Sequence, residues 1–234
     1  GIIGFWLIVF VFFPNILVFI VSFLTRDEAT LVALKLTFSN YLRIFDPLYF
    51  EVFINSMIMA LVTSVLCILI AYPFAYTLSR IRSSNTKNLM LLFIIIPFWT
   101  SALIRTYAIK ILLTTNGIIN NILMHIGLIS EPLNMLYTKG AVITGLVYTL
   151  LPFMILPLYA ALEKIDNRYI EASHDLGAGT LQTLFRVILP LSVPGLIAGN
   201  MLVFLPALSL FSIPDALGGA KTNLLGHLLQ THFL

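Results

Sequence analysis

Groups able to do chemistry are scarce in this sequence, and they concentrate in one place. The stretch EASHDLGAGTLQTLFRVILP, residues 171–190, gathers Glu171, His174, Asp175 and Arg186 in a chain that is 59% apolar and only 10% charged. From an N-cap at Asp166 or Asn167, Tyr169, Ala172, Ser173 and Leu176 recur at the spacing of one helix face. Arg168, Glu171 and Asp175 form the opposing charged face, and Gly177 supplies a C-terminal stop. Leu181, Leu184, Phe185 and Ile188 then repeat the helical spacing, and Pro190 leads into an apolar run. The pattern is two short helices broken at a glycine. It reads either as an interfacial loop helix or as a docking element for a cytosolic partner. Neither reading is catalytic. There is no glycine-rich loop ending in Gly-Lys-Ser/Thr to cradle a nucleotide, and His125, His174, His227 and His232 show no metal-ligand spacing.

The elements that must position this stretch are membrane spans. Soluble domains carry about 25% charged residues, whereas this chain of 234 residues has a mean hydropathy of +1.01. Its net charge of +3 has too little polar surface around it to form a nucleic-acid face. A charge at the bilayer centre costs about 2.5–3.5 kcal/mol, so uncharged apolar runs of about 20 residues mark spans. Five are predicted, at 2–24, 54–79, 88–113 (apolar but interrupted by Arg105 and Lys110), 140–162 and 192–213, in one all-α domain covering 1–234. Residues 25–53 and 114–139 are read as loops, the second with a short surface helix, and 163–191 as a cytoplasmic loop. Six Lys and Arg lie in the 32 residues of 80–87 and 163–186, against five in the 76 residues of 25–53, 114–139 and 214–234. The denser side is cytoplasmic by the positive-inside rule, and the N-terminus lies there too. Pro14, Pro73, Pro97, Pro152, Pro157 and Pro206 interrupt the spans, which a helix bundle tolerates. Gly195 and Gly199 stand four apart on one face, a close-packing pattern. Cys67, the one cysteine, reads as a small buried hydrophobe.

The polar stretch resembles the cytoplasmic signature of permeases from binding-protein-dependent ABC importers. That signature runs Glu-Ala-Ala, three residues, Gly, nine residues, Ile, one residue, Leu-Pro. Here Glu171, Ala172, Gly177, Leu189 and Pro190 match at the same spacing, with Ser173 in place of Ala and Val187 in place of Ile. FLTRDEAT, DPLYFEV, IPFWTSALIRTYAIKILL, LVYTLLPFMILPLY and NMLVFLPALSLFSIPDALGGAKTNLLG are similar to the permease of spermidine/putrescine importers. The resemblance implies a MetI-like helical permease of a bacterial inner membrane. It implies a second permease subunit, two copies of a separate ATPase that binds ATP and Mg, and a periplasmic polyamine-binding protein, with no cofactor in this chain. Glu171, Ala172, Ser173, Gly177, Leu189 and Pro190 would couple to the ATPase. Family members have six spans, so the sixth is expected to be missing from this sequence.

If the cargo is a polyamine, no Asp or Glu lies within the uncharged runs to receive it. Aromatic rings remain: Trp99 and Tyr107 in the third span and Tyr148 in the fourth. An ammonium over such a ring gains about 0.5–2 kcal/mol; the alternative is that these rings only pack. Trp99, about eleven residues into its span, is expected near mid-depth. Asp215 would attract a cation at the outer end, or be a solvated loop acid. Arg105 has the wrong sign for a cationic path and is expected to pair with an outer-loop acid or line a gate. Lys110 is expected to snorkel to the interface. The rival readings are a permease for another small solute, a secondary transporter with kinked spans, and a membrane anchor.

Overall fold

The computed structural model describes residues 2–25, 33–38, 41–42, 45, 47–210 and 212–219. The chain divides into two compact units, residues 1–53 and 54–234.

In the first unit, helix α1 runs from Ile2–Leu7 through a π-helical turn, Ile8–Phe12, into Phe13–Ser22. The wide turn has a cause in the sequence. Pro14 has no N–H, and its ring crowds the carbonyl four residues back. The chain widens just ahead of it, where the Phe13 N–H donates to the Ile8 carbonyl, five residues back. The Asn15 side-chain amide donates to the Val11 carbonyl at 2.7 Å. No side chain described in α1 from Gly4 to Val21 is buried, so lipid or another chain must take its apolar surface from water. After α1 come two short strands, β1 (Leu24–Thr25) and β2 (Ala33–Leu36). They pair antiparallel with a register slip between Leu24 and Thr25. The expected loop 25–53 therefore holds a small ribbon in an otherwise helical fold. Of its six charged residues outside that ribbon, Glu51 is described, whereas Arg26, Asp27, Glu28, Arg43 and Asp46 lie outside the described residues.

Helix α2, Pro47–Arg80, starts earlier than the predicted 54. The remainder of the second unit comprises α3 (Ser84–Trp99), α4 (Ala102–Leu113), α5 (Ile118–His125), α6 (Lys139–Glu163), α7 (Asn167–Asp175), α8 and α9 (Ser212–Gly218). Helix α8 runs through Thr180–Thr183, a π-helical turn Leu184–Ile188, and Leu189–Ser209. Five helical stretches among the described residues are long and apolar enough to cross a membrane: Gly4–Ser22, Tyr49–Arg80, Ala102–His125, Lys139–Glu163 and Thr180–Ser209.

Two predicted spans are corrected. The run 88–113 is not one helix. Pro97 weakens the helix end, Thr100 and Ser101 are extended, and the Thr100 hydroxyl donates to the Pro97 carbonyl at 2.8 Å. The run 192–213 is displaced, because α8 begins at Thr180 and stops at Ser209. The short surface helix expected in 114–139 is present as α5. Its buried Asn120 donates to the carbonyls of Thr114, Thr115 and Leu133 and accepts from the Leu133 N–H at 2.9 Å. That explains how a polar TTNGIINN segment folds compactly: its central amide replaces the water it would otherwise need.

The core of this unit is α6. Val142, Leu146, Leu150, Met154, Leu158 and Leu162 repeat every fourth residue and are all buried. On α2 the buried stripe is of small side chains, Ala60, Ser64, Cys67, Ala71 and Ala75, which lets neighbouring backbones approach. Cys67 is a buried member of it, as predicted. Helix α8 comes closer still. A Cβ on Gly195 would lie 2.3 Å from the Ala161 Cβ and 2.8 Å from the Pro157 carbonyl oxygen. One on Gly199 would lie 2.9 Å from the Met154 sulfur. The two basic connections, 80–87 and 163–168, meet at one end: Arg80 bonds Asn167, and Lys87 Nζ lies 2.8 Å from Glu163 Oε1.

Replacing Gly195 by Leu is expected to lower the unfolding temperature of the detergent-solubilised protein, with a cost of about 1–3 kcal/mol for overpacking. Gly4→Leu, which meets nothing within 4 Å, is the control and should melt as the parent does.

Candidate coupling hairpin

The segment between α6 and α8 is built by local rules. Asp166 caps α7, its Oδ1 accepting from the Arg168 N–H at 3.0 Å. Gly177 ends the helix at φ +81°, a conformation open to glycine without Cβ strain. Around it the Gly177 N–H donates to the His174 carbonyl at 2.9 Å and the Ala178 N–H to the Ser173 carbonyl at 3.0 Å. This pair of bonds is the Schellman motif, which closes off the last helical carbonyls. The chain then turns back into α8, with the Gly179 N–H on Gln182 Oε1 at 3.3 Å.

A hydroxyl pair clamps the two arms. Ser173 Oγ donates to the Ile170 carbonyl at 2.7 Å, and Thr183 Oγ1 lies 2.8 Å from Ser173 Oγ. With the Ser173 proton committed to Ile170, Thr183 is the donor of the second bond. Both side chains are buried. At the far end, Pro190 repeats the arrangement at Pro14: the Leu189 N–H reaches back five residues to the Leu184 carbonyl. The Leu-Pro end of the signature thus forms a widened turn inside a continuous helix.

The predicted coupling residues separate. Glu171, Ala172 and Gly177 face outward. Ser173, at 8% exposure, faces the return arm instead and is a hairpin clamp. Leu189 and Pro190 lie within α8 rather than at the hairpin tip. The face predicted for Tyr169, Ala172, Ser173 and Leu176 is mostly exposed. Ser173 alone of the four is buried; Leu176, at 89%, is almost fully exposed. Periodicity in a nine-residue helix names faces without saying which meets the rest of the molecule. Tyr169 borders a cavity of about 400 Å³ lined also by Lys164, Ile165, Leu191 and Pro194.

The residues expected along a cation path are not drawn into one site. Trp99, 84% exposed, ends α3 at the helix break rather than lying within a continuous span. Tyr107 on α4 and Tyr148 on α6 are exposed, and no ring contact joins the three among the described residues. Lys110 lies beside two rings. Its Nζ lies 5.9 Å from the Tyr107 centroid and 5.7 Å from that of Tyr137. Tyr137 was not marked by the sequence. It sits in a loop at φ +61°, held by its N–H on the Leu217 carbonyl at 2.9 Å. Arg105 Nε and Nη1 are buried with no hydrogen-bond partner among the described residues. Asp215 stands in the first turn of α9, whose Ile213 and Leu217 close over Gly145 of α6.

Long apolar helices, a basic end, and a glycine-hinged hairpin between the two most closely packed helices define a polytopic membrane permease. Residues 53–231 match the family described as binding-protein-dependent transport system inner membrane component, and the chain belongs to that family. It is 51% identical over 229 residues to the spermidine/putrescine transport system permease protein PotB of Haemophilus influenzae, covering 98% of this chain and 80% of that one. It is 48% identical to the protein of the same name from Escherichia coli K12, covering 98% and 83%. Identity to the inner membrane ABC transporter permease protein YdcU of Escherichia coli K12 is 33%, covering 84% and 67%. Among solved structures, a bacterial ABC transporter that imports the acidic polysaccharide alginate aligns with a TM-score of 0.68 at 18% identity, covering 98% of this chain and 80% of that one. The alginate transporter in complex with its pentasaccharide-bound periplasmic protein aligns with a TM-score of 0.72 at 17% identity, covering 94% and 74%. These structural likenesses establish the fold.

The hydroxyl clamp makes a prediction. Ser173→Ala strands the buried Thr183 hydroxyl and should destabilise the hairpin by about 1–3 kcal/mol, whereas Ser173→Ala combined with Thr183→Val removes both partners and should recover most of that loss. Amide hydrogen exchange across 167–183 reads the difference; additive losses in the double variant would dismiss the clamp.

Proposed function

We propose that this chain is a pore-forming permease subunit of an ATP-driven polyamine importer in a bacterial inner membrane, carrying spermidine or putrescine. The observation that carries the coupling role is the hairpin. It projects from between α6 and α8, and it leaves Glu171, Ala172, Leu176 and Gly177 open. An almost bare leucine on a polar hairpin is the kind of group that a partner's pocket covers. Two copies of a separate ATPase chain would bind ATP and Mg, and one would grip this hairpin. A second permease subunit would complete the pore, and a periplasmic binding protein would deliver the amine.

The geometry supports a route for the coupling. Closure of the ATPase pair displaces the hairpin. Its return arm is the first turn of α8, which continues as one helix to Ser209. Thirty helical residues span about 45 Å, so α8 acts as a lever reaching from the hairpin to the far side. The result is a rigid-body switch between inward-open and outward-open packings. The polyamine reading draws on the relatives at 48–51% identity, whose names carry that substrate. The exposed rings of Trp99, Tyr107 and Tyr148 suit a cation path with no buried Asp or Glu among the described residues.

In proteoliposomes holding the reconstituted complex and given ATP, radiolabelled spermidine or putrescine should accumulate. Glu171→Lys and Gly177→Val should each cut uptake by about tenfold or more, the effect of losing 1.4 kcal/mol or more of docking energy, while the protein still inserts. Uptake that follows an ion gradient rather than ATP would overturn the reading, as would full ATPase association and uptake in both variants.

A further inference from the structure

Helix α2 is held to both ends of the coupling hairpin. At the entry, Arg80, the last residue of α2, donates from Nη1 to Oδ1 of Asn167, the first residue of α7. At the exit, the Tyr72 hydroxyl lies 3.1 Å from Ser192 Oγ on α8. Ser192 Oγ already donates to the Leu189 carbonyl at 2.9 Å, so Tyr72 is the donor. Tyr72, Tyr76 and Arg80 stand at i, i+4 and i+8, along one side of α2. The two bonds are therefore about 12 Å apart along its axis.

Arg80 is fixed to its own helix as well. Its guanidinium carbon lies 5.5 Å from the centroid of the Tyr76 ring. Its Nε and Nη2 are buried and have no acceptor among the described residues. One side-chain hydrogen bond, to Asn167, thus serves a half-buried cation. If the hairpin moved and α2 did not, that bond would break, and the guanidinium, two of whose nitrogens are already buried without an acceptor among the described residues, would lose its one side-chain partner in the protein. Such stranding is costly, so the lower-energy course is for α2 to follow. Attachment at a single point would let α2 pivot. Attachment at two points, two helical turns apart, passes on rotation as well as translation.

We propose that Arg80 is a positioning residue for energy coupling. Through Asn167, and with Tyr72 on Ser192 as the second point of attachment, it makes α2 move with the hairpin. The inference rests on the reading of the hairpin as the ATPase-docking element.

The test uses the whole complex in proteoliposomes, with binding protein, and measures ATP hydrolysis and amine uptake separately. Arg80→Ala and Asn167→Ala should keep hydrolysis near the parent value while uptake per ATP falls about fivefold. Arg80→Lys, which keeps a donor, and Asn167→Asp, which keeps the acceptor, should retain much of the ratio. Arg80→Ala combined with Tyr72→Phe should lose more than either change alone. A parental uptake-to-hydrolysis ratio in both Arg80→Ala and Asn167→Ala overturns the proposal. So does a parallel fall of hydrolysis, uptake and complex yield in both, which would assign the pair to assembly. Glu171→Lys keeps the two levels apart: ATPase binding that survives it sinks the docking reading, whereas its loss beside an unchanged ratio in Asn167→Ala sinks only the tie.

Discussion

The second unit depends on how closely α8 lies against α6. Lipid tails are as apolar as leucine, so the bilayer gives little hydrophobic drive for two helices to associate. What remains is van der Waals contact, which rewards surfaces that touch along their length. Gly195 and Gly199 provide that contact by leaving no side chain between α8 and the Pro157 and Met154 carbonyls. Gly145 does the same for α9 at the other end of α6. Since the hairpin joins α6 to α8, this packing also fixes the separation of its two feet. A hairpin on loosely packed helices would absorb a push by bending. Anchored at a glycine-tight contact, it would pass a push on.

A second constraint shapes the helices themselves. Every backbone polar group in hydrocarbon needs a partner within the protein, yet the sequence places proline in most of its long helices. Two responses are visible. Ahead of Pro14 and Pro190 the helix widens by one residue, and the amide just after the wide turn reaches five back. After Pro97 the helix ends, and the Thr100 hydroxyl serves the Pro97 carbonyl. The first response preserves a continuous rod, and in α8 it joins the hairpin's return arm to a membrane helix. The second creates a joint between α3 and α4, with the exposed Trp99 at its edge. The same residue type therefore gives a continuous rod in one place and a break in another, depending on its neighbours along the chain.

Much of this was legible in the sequence. Charge-free runs located the long helices at 2–24, 54–79 and 140–162, because a charge in lipid is expensive. Asp166 and Gly177 located the ends of α7, because capping is chemistry between near neighbours. The pairing of Gly195 with Gly199 identified a packing face, and the density of Lys and Arg grouped 80–87 with 163–186. What remained hidden depended on contacts between distant residues. Nothing near Arg80 marks it as the partner of Asn167, and nothing near Ser173 shows that Thr183 turns it inward. Periodicity put Leu176 on a helix face opposite the charged one, but it cannot say whether such a face meets a core or stands open. The wide turns were invisible for another reason: a proline says that a helix must adjust, without saying whether it will widen or stop.

The pattern of exposure carries a last inference about what the chain is part of. In a protein that works alone in a membrane, lipid-facing surface is apolar and water-facing surface is polar. Here the basic end breaks that division, because Leu176 and Leu181 are exposed on the same hairpin as Glu171 and Asp175. Exposed leucines on a charged hairpin are unfavourable for an isolated chain, and a neighbouring protein surface relieves them. Stability alone would remove them, by polar residues at 176 and 181. They make sense if the hairpin is completed by contact with another chain, and a contact that completes a surface is also one through which force can be applied.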